Sequence, residues 1–209
     1  MLRTVLLLGV LLSCLPAGLR AAAPVSLFDG KTFAGWDGET NRTWRIVDGA
    51  LVGGSLETTV PQNEFLATLR SFTNFVLRLQ FKVEGTEGFL NGGVQVRSER
   101  IPNHNEMIGY QADIGEGWHG CLYDESRRNT VLAKPADADV TRAVRAADWN
   151  DYEIRCEGPR VRLKINGVPM VDYTETDASL VQSGRIGLQV HGGGKVRISY
   201  RNLTLEELP

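Results

Sequence analysis

Hydrophobic residues recur at every second position along most of the chain. Phe75, Leu77, Leu79, Phe81 and Val83 alternate with Val76, Arg78, Gln80 and Lys82. The same period runs through Val161, Leu163 and Ile165, through Ile186, Leu188 and Val190, and through Val196, Ile198 and Tyr200. A period of two sends successive side chains to opposite faces, so these runs predict half-buried antiparallel strands. Asn166-Gly167 separates two of them. That pair predicts a two-residue hairpin, because both turn positions need positive φ. Asp48-Gly49, Glu84-Gly85 and Gly192-Gly193-Gly194 mark further turns. One short helix is expected, from Asp139 to Ala147. With no internal repeat and no linker, the pattern predicts a single all-β domain of about ten or more strands, a sandwich or jelly roll.

The first residues stand outside this pattern. Arg3 precedes an apolar stretch from Val5 to Leu12, and Ala21-Ala22-Ala23 follows. A basic start, a short apolar middle and a small-residue end predict an export signal over residues 1–23, with the folded domain at 24–209. Cleavage there removes Arg3 and Arg20 and leaves the mature chain more acidic. Leu11-Leu12-Ser13-Cys14 also resembles a bacterial lipobox, which would make Cys14 a lipidated anchor. The expected destination is secreted or periplasmic.

Composition narrows the function classes. The chain has 209 residues, 23 glycines and a formal net charge of −2. A nucleic-acid binder needs a clustered basic excess, which is missing here. No apolar run reaches the ~20 residues of a membrane span. Cys121 and Cys156 remain after export. Cys156 shares the apolar face of its strand with Tyr152 and Ile154, which favours a buried free thiol over a Cys121–Cys156 disulfide.

Chemistry must come from the faces turned away from the core. Alternation turns Gln95 and Arg97 outward opposite Val94 and Val96, and Gln111 and Asp113 outward opposite Tyr110, Ala112 and Ile114. Gln189 turns outward opposite Leu188 and Val190, close to His191. Amides, an arginine and a carboxylate make directional bonds to sugar hydroxyls. The stretch from Gly115 to Asn129 adds Trp118, His119, Tyr123, Asp124, Glu125, Arg127 and Arg128 in a glycine-rich loop. Trp118 and Tyr123 suit stacking on a pyranose ring. The carboxylates suit acid–base work, and the arginines suit developing negative charge. The histidines show no metal-ligand spacing, so any divalent ion would have to be assembled across strands from His191, Asp113 and Glu125.

Two resemblances follow from motifs. Gln111-Ala112-Asp113-Ile114-Gly115-Glu116 resembles the E-x-D-x-x-E strand of laminarinase-type glucanases. Gln111 stands where that family has its nucleophile, and an amide cannot form a glycosyl ester. A wider likeness runs from about Leu27 to Leu208. It comprises Ser26-Leu27-Phe28-Asp29-Gly30-Lys31, Gly35-Trp36, Trp44-Arg45-Ile46-Val47-Asp48-Gly49 and Asn91-Gly92-Gly93-Val94-Gln95-Val96-Arg97. Gly109-Tyr110-Gln111-Ala112-Asp113, Asp148-Trp149-Asn150, Gly184 to His191 and Arg201-Asn202-Leu203 follow in order. Together these resemble the 3-keto-disaccharide hydrolase domain family. Positions 111 and 113 exchange the acid and amide of the family's G-Y-E-x-Q strand.

The resemblance implies a concanavalin A-like jelly roll that cleaves glycosides oxidised at carbon 3. A C3 ketone acidifies the hydrogen on C2. A base removes that proton, an enolate forms, the C1 substituent leaves, and water adds back. Asp113, Glu125 and His191 are the candidate acid and base, and Arg97 and Arg128 the candidates at the enolate. Gln95, Gln111 and Gln189 would bind hydroxyls. Trp118 and Tyr123 would form walls, with His119 and Arg127 beside the substrate. Some members of that family depend on a metal, which would polarise the ketone. A 3-keto substrate also implies an upstream sugar 3-oxidising dehydrogenase. Two other readings stay open: a non-catalytic carbohydrate-binding module, and an interaction domain with a degenerate site.

Overall fold

A computed structural model describes residues 23–209. Cys14 and all of the expected export signal except Ala23 lie outside the described residues. The first eight strands are β1 Val25–Ser26, β2 Trp36–Asp37, β3 Trp44–Val47, β4 Ala50–Gly54, β5 Glu64–Phe72, β6 Phe75–Gly88, β7 Asn91–Arg100 and β8 Met107–Gly115. β9 Leu122–Glu125 and β10 Thr130–Ala133 lead into the helix α1, Asp137–Ala143. β11 Asn150–Glu157, β12 Arg160–Ile165, β13 Val168–Thr174, β14 Gly184–Val190 and β15 Gly194–Glu207 complete the chain.

Two antiparallel sheets face each other. One runs β13-β12-β11-β6-β15-β4-β3, with β1 added along β15. The other, which carries the candidate site, runs β10-β9-β8-β7-β14-β5-β2. β5 passes into β6, and β14 into β15, by crossing from one sheet to the other. The jelly-roll expectation holds. Among the described residues no helix is long and apolar enough to cross a membrane.

The alternating runs meet between the sheets. Leu77, Phe81, Tyr152, Ile154, Leu163 and Ile198 pack from one side against Val94, Ala112, Ile114, Leu122, Ile186 and Leu188 from the other. Burying each large apolar side chain contributes about 1.5–3 kcal/mol, and this core is continuous. Two tyrosines cross it with polar tips. Tyr200 Oη donates towards Gln189 O at 2.8 Å and Gly93 O at 3.0 Å, and Tyr152 Oη towards Asp113 O at 3.4 Å. The core thus anchors the site strands from behind. Cys121 and Cys156 are buried free thiols. Burial pushes them up to about 11 and about 12.

The outer face of the site sheet is not an open polar surface. Phe65, Ala67 and Met107 form a second apolar cluster on it. Met107 Sδ lies where a Cβ on Gly187 would sit 2.6 Å away, so only glycine fits beneath it. The helix is also displaced from its expected place. It ends at Ala143, and Val144 is already extended. Asn150 causes this by accepting from the Arg145 N–H at 2.8 Å and donating to Arg145 O at 2.9 Å. Those local bonds compete with further helical turns.

The Asn166-Gly167 turn forms as expected, with φ of 50° and 78°. A Cβ on Gly167 would meet nothing within 4 Å, whereas one on Gly54 (φ 77°) would lie 2.2 Å from Val196 O. Gly167→Ala is therefore expected to cost about 1 kcal/mol, the strain of a left-handed alanine alone. Gly54→Ala must cost more, because backbone has to move. Urea-denaturation midpoints of the two variants check the order.

Candidate functional site

The site starts from the alternation in β7 and β8. With Tyr110, Ala112 and Ile114 in the core, Gln111 and Asp113 turn to the outer face beside Gln95. A hydrogen-bond chain links them. Ser98 Oγ donates to Gln95 Oε1 at 2.5 Å, Gln95 Nε2 to Gln111 Oε1 at 3.1 Å, and Gln111 Nε2 to Asp113 Oδ1 at 2.8 Å. All four residues are buried. Asp113 Oδ2 has no partner.

Above this floor lies a cavity of about 140 Å³, lined by Phe89, Asn91, Gln111, Asp113, Trp118, Tyr123, Glu125 and His191. Ligand pockets commonly span roughly 300–1,000 Å³, so this one suits the edge of a single sugar ring. Glu125 and Tyr123 reach it from β9, which pairs with β8 through Gln111–Tyr123 and Gly109–Glu125. The tight Gly115–Cys121 loop delivers Trp118. Gly115 O accepts from the Trp118 and His119 N–H groups at 2.9 and 2.8 Å, and Gly117 and Gly120 take φ of 76°. Trp118 meets Phe89 and Tyr123 edge-on, at 6.5 and 6.0 Å between centroids. His191 stands against Phe89 at 4.7 Å. His191 Nδ1 lies 2.6 Å from Gly192 O. A carbonyl only accepts, so Nδ1 carries the proton and Nε2 is left as an acceptor in the neutral ring.

The carboxyl groups are unusual. Burial pushes Asp113 up to about 8, against the pull of the Gln111 amide and with help from the charge of Glu125. Burial and the nearby Glu106 charge push Glu125 up to about 7. At neutral pH Asp113 is mainly a proton donor and Glu125 titrates. The two interact, so these values belong to the pair. Perturbed carboxyls in one cleft make this the candidate functional site on physical grounds.

Several expected residues lie elsewhere. Arg97 sits on a β-bulge with φ 51°, which reverses the alternation and turns the side chain away from the pocket. It donates to Thr73 O at 2.7 Å, Gly158 O at 2.6 Å and Gln182 Oε1 at 2.7 Å, a buried strut between loops. Arg128 bonds Asp124 and meets Glu175 at 2.6 Å. Arg127 pairs with Asp124 at 2.7 Å and covers the Tyr110 ring at 4.6 Å. Asp124 shares its strand with Glu125 but points the opposite way, and it takes both arginines with it. His119 also turns inward. It stacks on Phe81 at 6.0 Å and accepts from the Gly115 N–H at 3.2 Å. Burial brings it down to about 4, so it stays uncharged. Gln189 is buried behind the pocket, and neither of its amide atoms has a partner.

Phe89, Asn91 and Glu106 are the residues that sequence reasoning missed. Glu106 precedes β8, and its Oε1 accepts from Asn63 Nδ2 at 2.9 Å. No period of two reaches it, so nothing local marked it. Among the described residues, no group of three or more His, Cys, Asp or Glu side chains is placed to hold a metal ion. His191, Asp113 and Glu125 are not brought together as such a group. A larger cavity, about 390 Å³, crosses the outer face of the other sheet. Its charges are already engaged, with Arg78 and Lys164 on Glu153 at 2.9 and 3.1 Å.

The carboxyl pair sets a pH dependence of stability. Asp113 and Glu125 are raised above the ordinary carboxyl values of 3.8 and 4.5. The folded state therefore binds more protons than the unfolded one between those values and the folded ones. Their stabilisation is complete at low pH and is lost as pH rises through about 7 to about 8. Asp113→Asn with Glu125→Gln is expected to remove this loss. Urea midpoints from pH 5 to pH 9 test it, and parallel curves for both proteins would contradict it.

No curated protein sequence matches the chain. Solved structures match across most of its length. A candidate glycosyl hydrolase from Parabacteroides distasonis superposes with a TM-score of 0.68 at 19% identity, covering 89% of this chain and 94% of the other. A carbohydrate-binding module from Bacillus subtilis gives 0.64 at 17% identity, covering 83% and 96%. A protein of galectin-like fold from the same organism gives 0.54 at 11% identity, covering 90% and 96%. At these identities the likeness is one of fold. The family model of the 3-keto-alpha-glucoside-1,2-lyase-like domain matches residues 23–206. That match spans nearly the whole described chain, and the protein belongs to this carbohydrate-related family.

Proposed function

We propose that the protein is an exported enzyme that cleaves 3-keto glycosides or disaccharides by removing the C2 proton and expelling the C1 substituent. The observation that carries this reading is the pair Asp113 and Glu125, two carboxyl groups with raised proton affinity in one small pocket. The elimination needs a base that is ionised near neutral pH and an acid that still holds its proton there. Glu125, the lower of the two, takes the C2 proton. Asp113, the higher, protonates the departing oxygen. The Gln111 amide holds Asp113 in place and then stabilises the carboxylate left behind.

Arg97 and Arg128 lie away from the pocket, so a neutral donor must serve the enolate oxygen. Asn91 lines the cavity and is the group to supply it. His191 Nε2 accepts from a sugar hydroxyl. Phe89, Trp118 and Tyr123 wall the ring and exclude water, which strengthens these bonds. No step needs a carboxylate nucleophile, consistent with Gln111 in the glucanase nucleophile position. The export expectation places the reaction outside the cytoplasm, downstream of a sugar 3-oxidising dehydrogenase.

A carbohydrate-binding module is the second reading. The aromatic walls and the fold of the Bacillus subtilis module favour it. Against it, a binder gains nothing from burying two carboxyls at the cost of their hydration. The test is incubation with 3-keto-trehalose, 3-keto-lactose or a 3-keto-glucoside. Asp113→Asn and Glu125→Gln are each expected to lower kcat by about a hundredfold or more. Wild-type turnover in both of these and in His191→Ala would sink the reading. Tight sugar binding with no product would favour the module.

A further inference from the structure

Seven buried side-chain nitrogen and oxygen atoms lack a hydrogen-bond partner among the described residues. Four of them belong to three residues in or beside one pocket: Nε2 and Oε1 of Gln189, Oδ2 of Asp113 and Oε2 of Glu106. Register brings the first three together. Gln189 pairs with Gly93, and Gly93 with Asp113, so the three form one row across β14, β7 and β8. Strands two apart lie about 9–10 Å from each other. Gly93 between them has no side chain, and a Cβ there would come within 2.8 Å of Gln111 Cγ. Glu106 lies near enough to His191 and Glu125 for their charges to be felt. Phe65 pairs with Gln189 on the other side, in β5.

A buried amide with both ends unsatisfied is costly, and such groups are met by ordered water. The chemistry of these groups selects water. The Gln189 amide offers one donor and one acceptor side, Asp113 Oδ2 carries the acid proton while Oδ1 accepts from Gln111, and only a molecule that both donates and accepts meets them together. A substrate hydroxyl does not reach Gln189, which is fully buried and outside the cavity lining.

We infer that Gln189 holds a resident water behind the pocket and that this water completes the hydrolysis. The water site stands on the unpartnered atoms alone, and its chemical role rests on the elimination reading above. Elimination leaves a C1=C2 double bond conjugated to the C3 ketone, with the C2 proton on Glu125 and Asp113 ionised. The water oxygen bonds C1, and its proton passes to Asp113. Glu125 returns its proton to C2. The C1=C2 bond is consumed, both carboxyls regain their starting states, and the net change is addition of water across the glycosidic bond. Gln189 is thus a positioning residue that decides between hydrolase and lyase outcomes.

Two measurements test this. A high-resolution crystal structure of the wild type without substrate is expected to show an ordered water within about 3.2 Å of the Gln189 amide. Turnover of 3-keto-trehalose is then followed by the early ratio of 3-keto-glucose to the unsaturated glycal. Whatever happens to the overall rate, Gln189→Met is expected to shift that ratio about tenfold towards the glycal. Gln189→Glu, which restores polar atoms, should move it back. No water at Gln189, or an unchanged ratio in Gln189→Met, would overturn the inference. So would a higher melting temperature of Gln189→Met, the mark of an amide that had no partner to lose. A wild type that shows the water but leaves 3-keto-trehalose intact overturns the assigned reaction and supports the water site.

Discussion

The structure turns on the burial of a polar row on the outer face of one sheet. Gln95, Gln111 and Asp113 are each almost fully covered, although they point away from the core. A buried polar group left unpaired costs about 1–3 kcal/mol, and the bonds among Ser98, Gln95, Gln111 and Asp113 Oδ1 offset most of that cost, leaving Asp113 Oδ2 without a partner. Ser98 starts the chain and Asp113 ends it. The same burial that demands these bonds raises the proton affinity of Asp113. Structural constraint and chemical capacity are one effect seen from two sides.

The rest of the fold serves that row. The apolar core holds the sheets together, and Tyr200 and Tyr152 reach through it to the carbonyls of Gln189, Gly93 and Asp113. Glycines at 93 and 187 leave the space that Gln111 and Met107 fill. The ion cluster of Arg127, Arg128, Asp124 and Glu175 lies on the other side of β9 and holds its end. Arg97 ties the loops at the far edge through carbonyls and amides. These arginines resemble catalytic groups in sequence, but their side chains are engaged with carbonyls, amides and carboxylates away from the pocket.

The site's electrostatics follow from what is absent near the carboxyls. Among the described residues, every arginine near β9 is committed to Asp124 or Glu175, so no cation pulls Asp113 or Glu125 down. Glu175, despite its own burial, is held at about 2 by Arg128. Two carboxyls at one end of the sheet stay protonatable while a third, a few residues away in space, stays ionised. That separation comes from which face of a strand each residue occupies.

The strands, the hairpin at Asn166-Gly167 and the outward faces of Gln111 and Asp113 were legible from the chain alone. They rest on the period of two and on turn chemistry, which are local. So was the likeness of motifs in order along the chain. What the sequence could not supply was anything decided by register or by a bulge. One residue with positive φ at Arg97 moved it out of the site. A short loop turned Trp118 outward and His119 inward. Phe89 reached the pocket, and Glu106 came near enough to Glu125 for its charge to be felt, through loop placement that carries no periodic signal. Helix length was misjudged because Asn150, beyond the helix, captures Arg145. The sequence determined which side chains each strand presents to each face. The tertiary structure decided which faces are covered, and desolvation by that cover is what makes two ordinary carboxyls into a candidate acid and base.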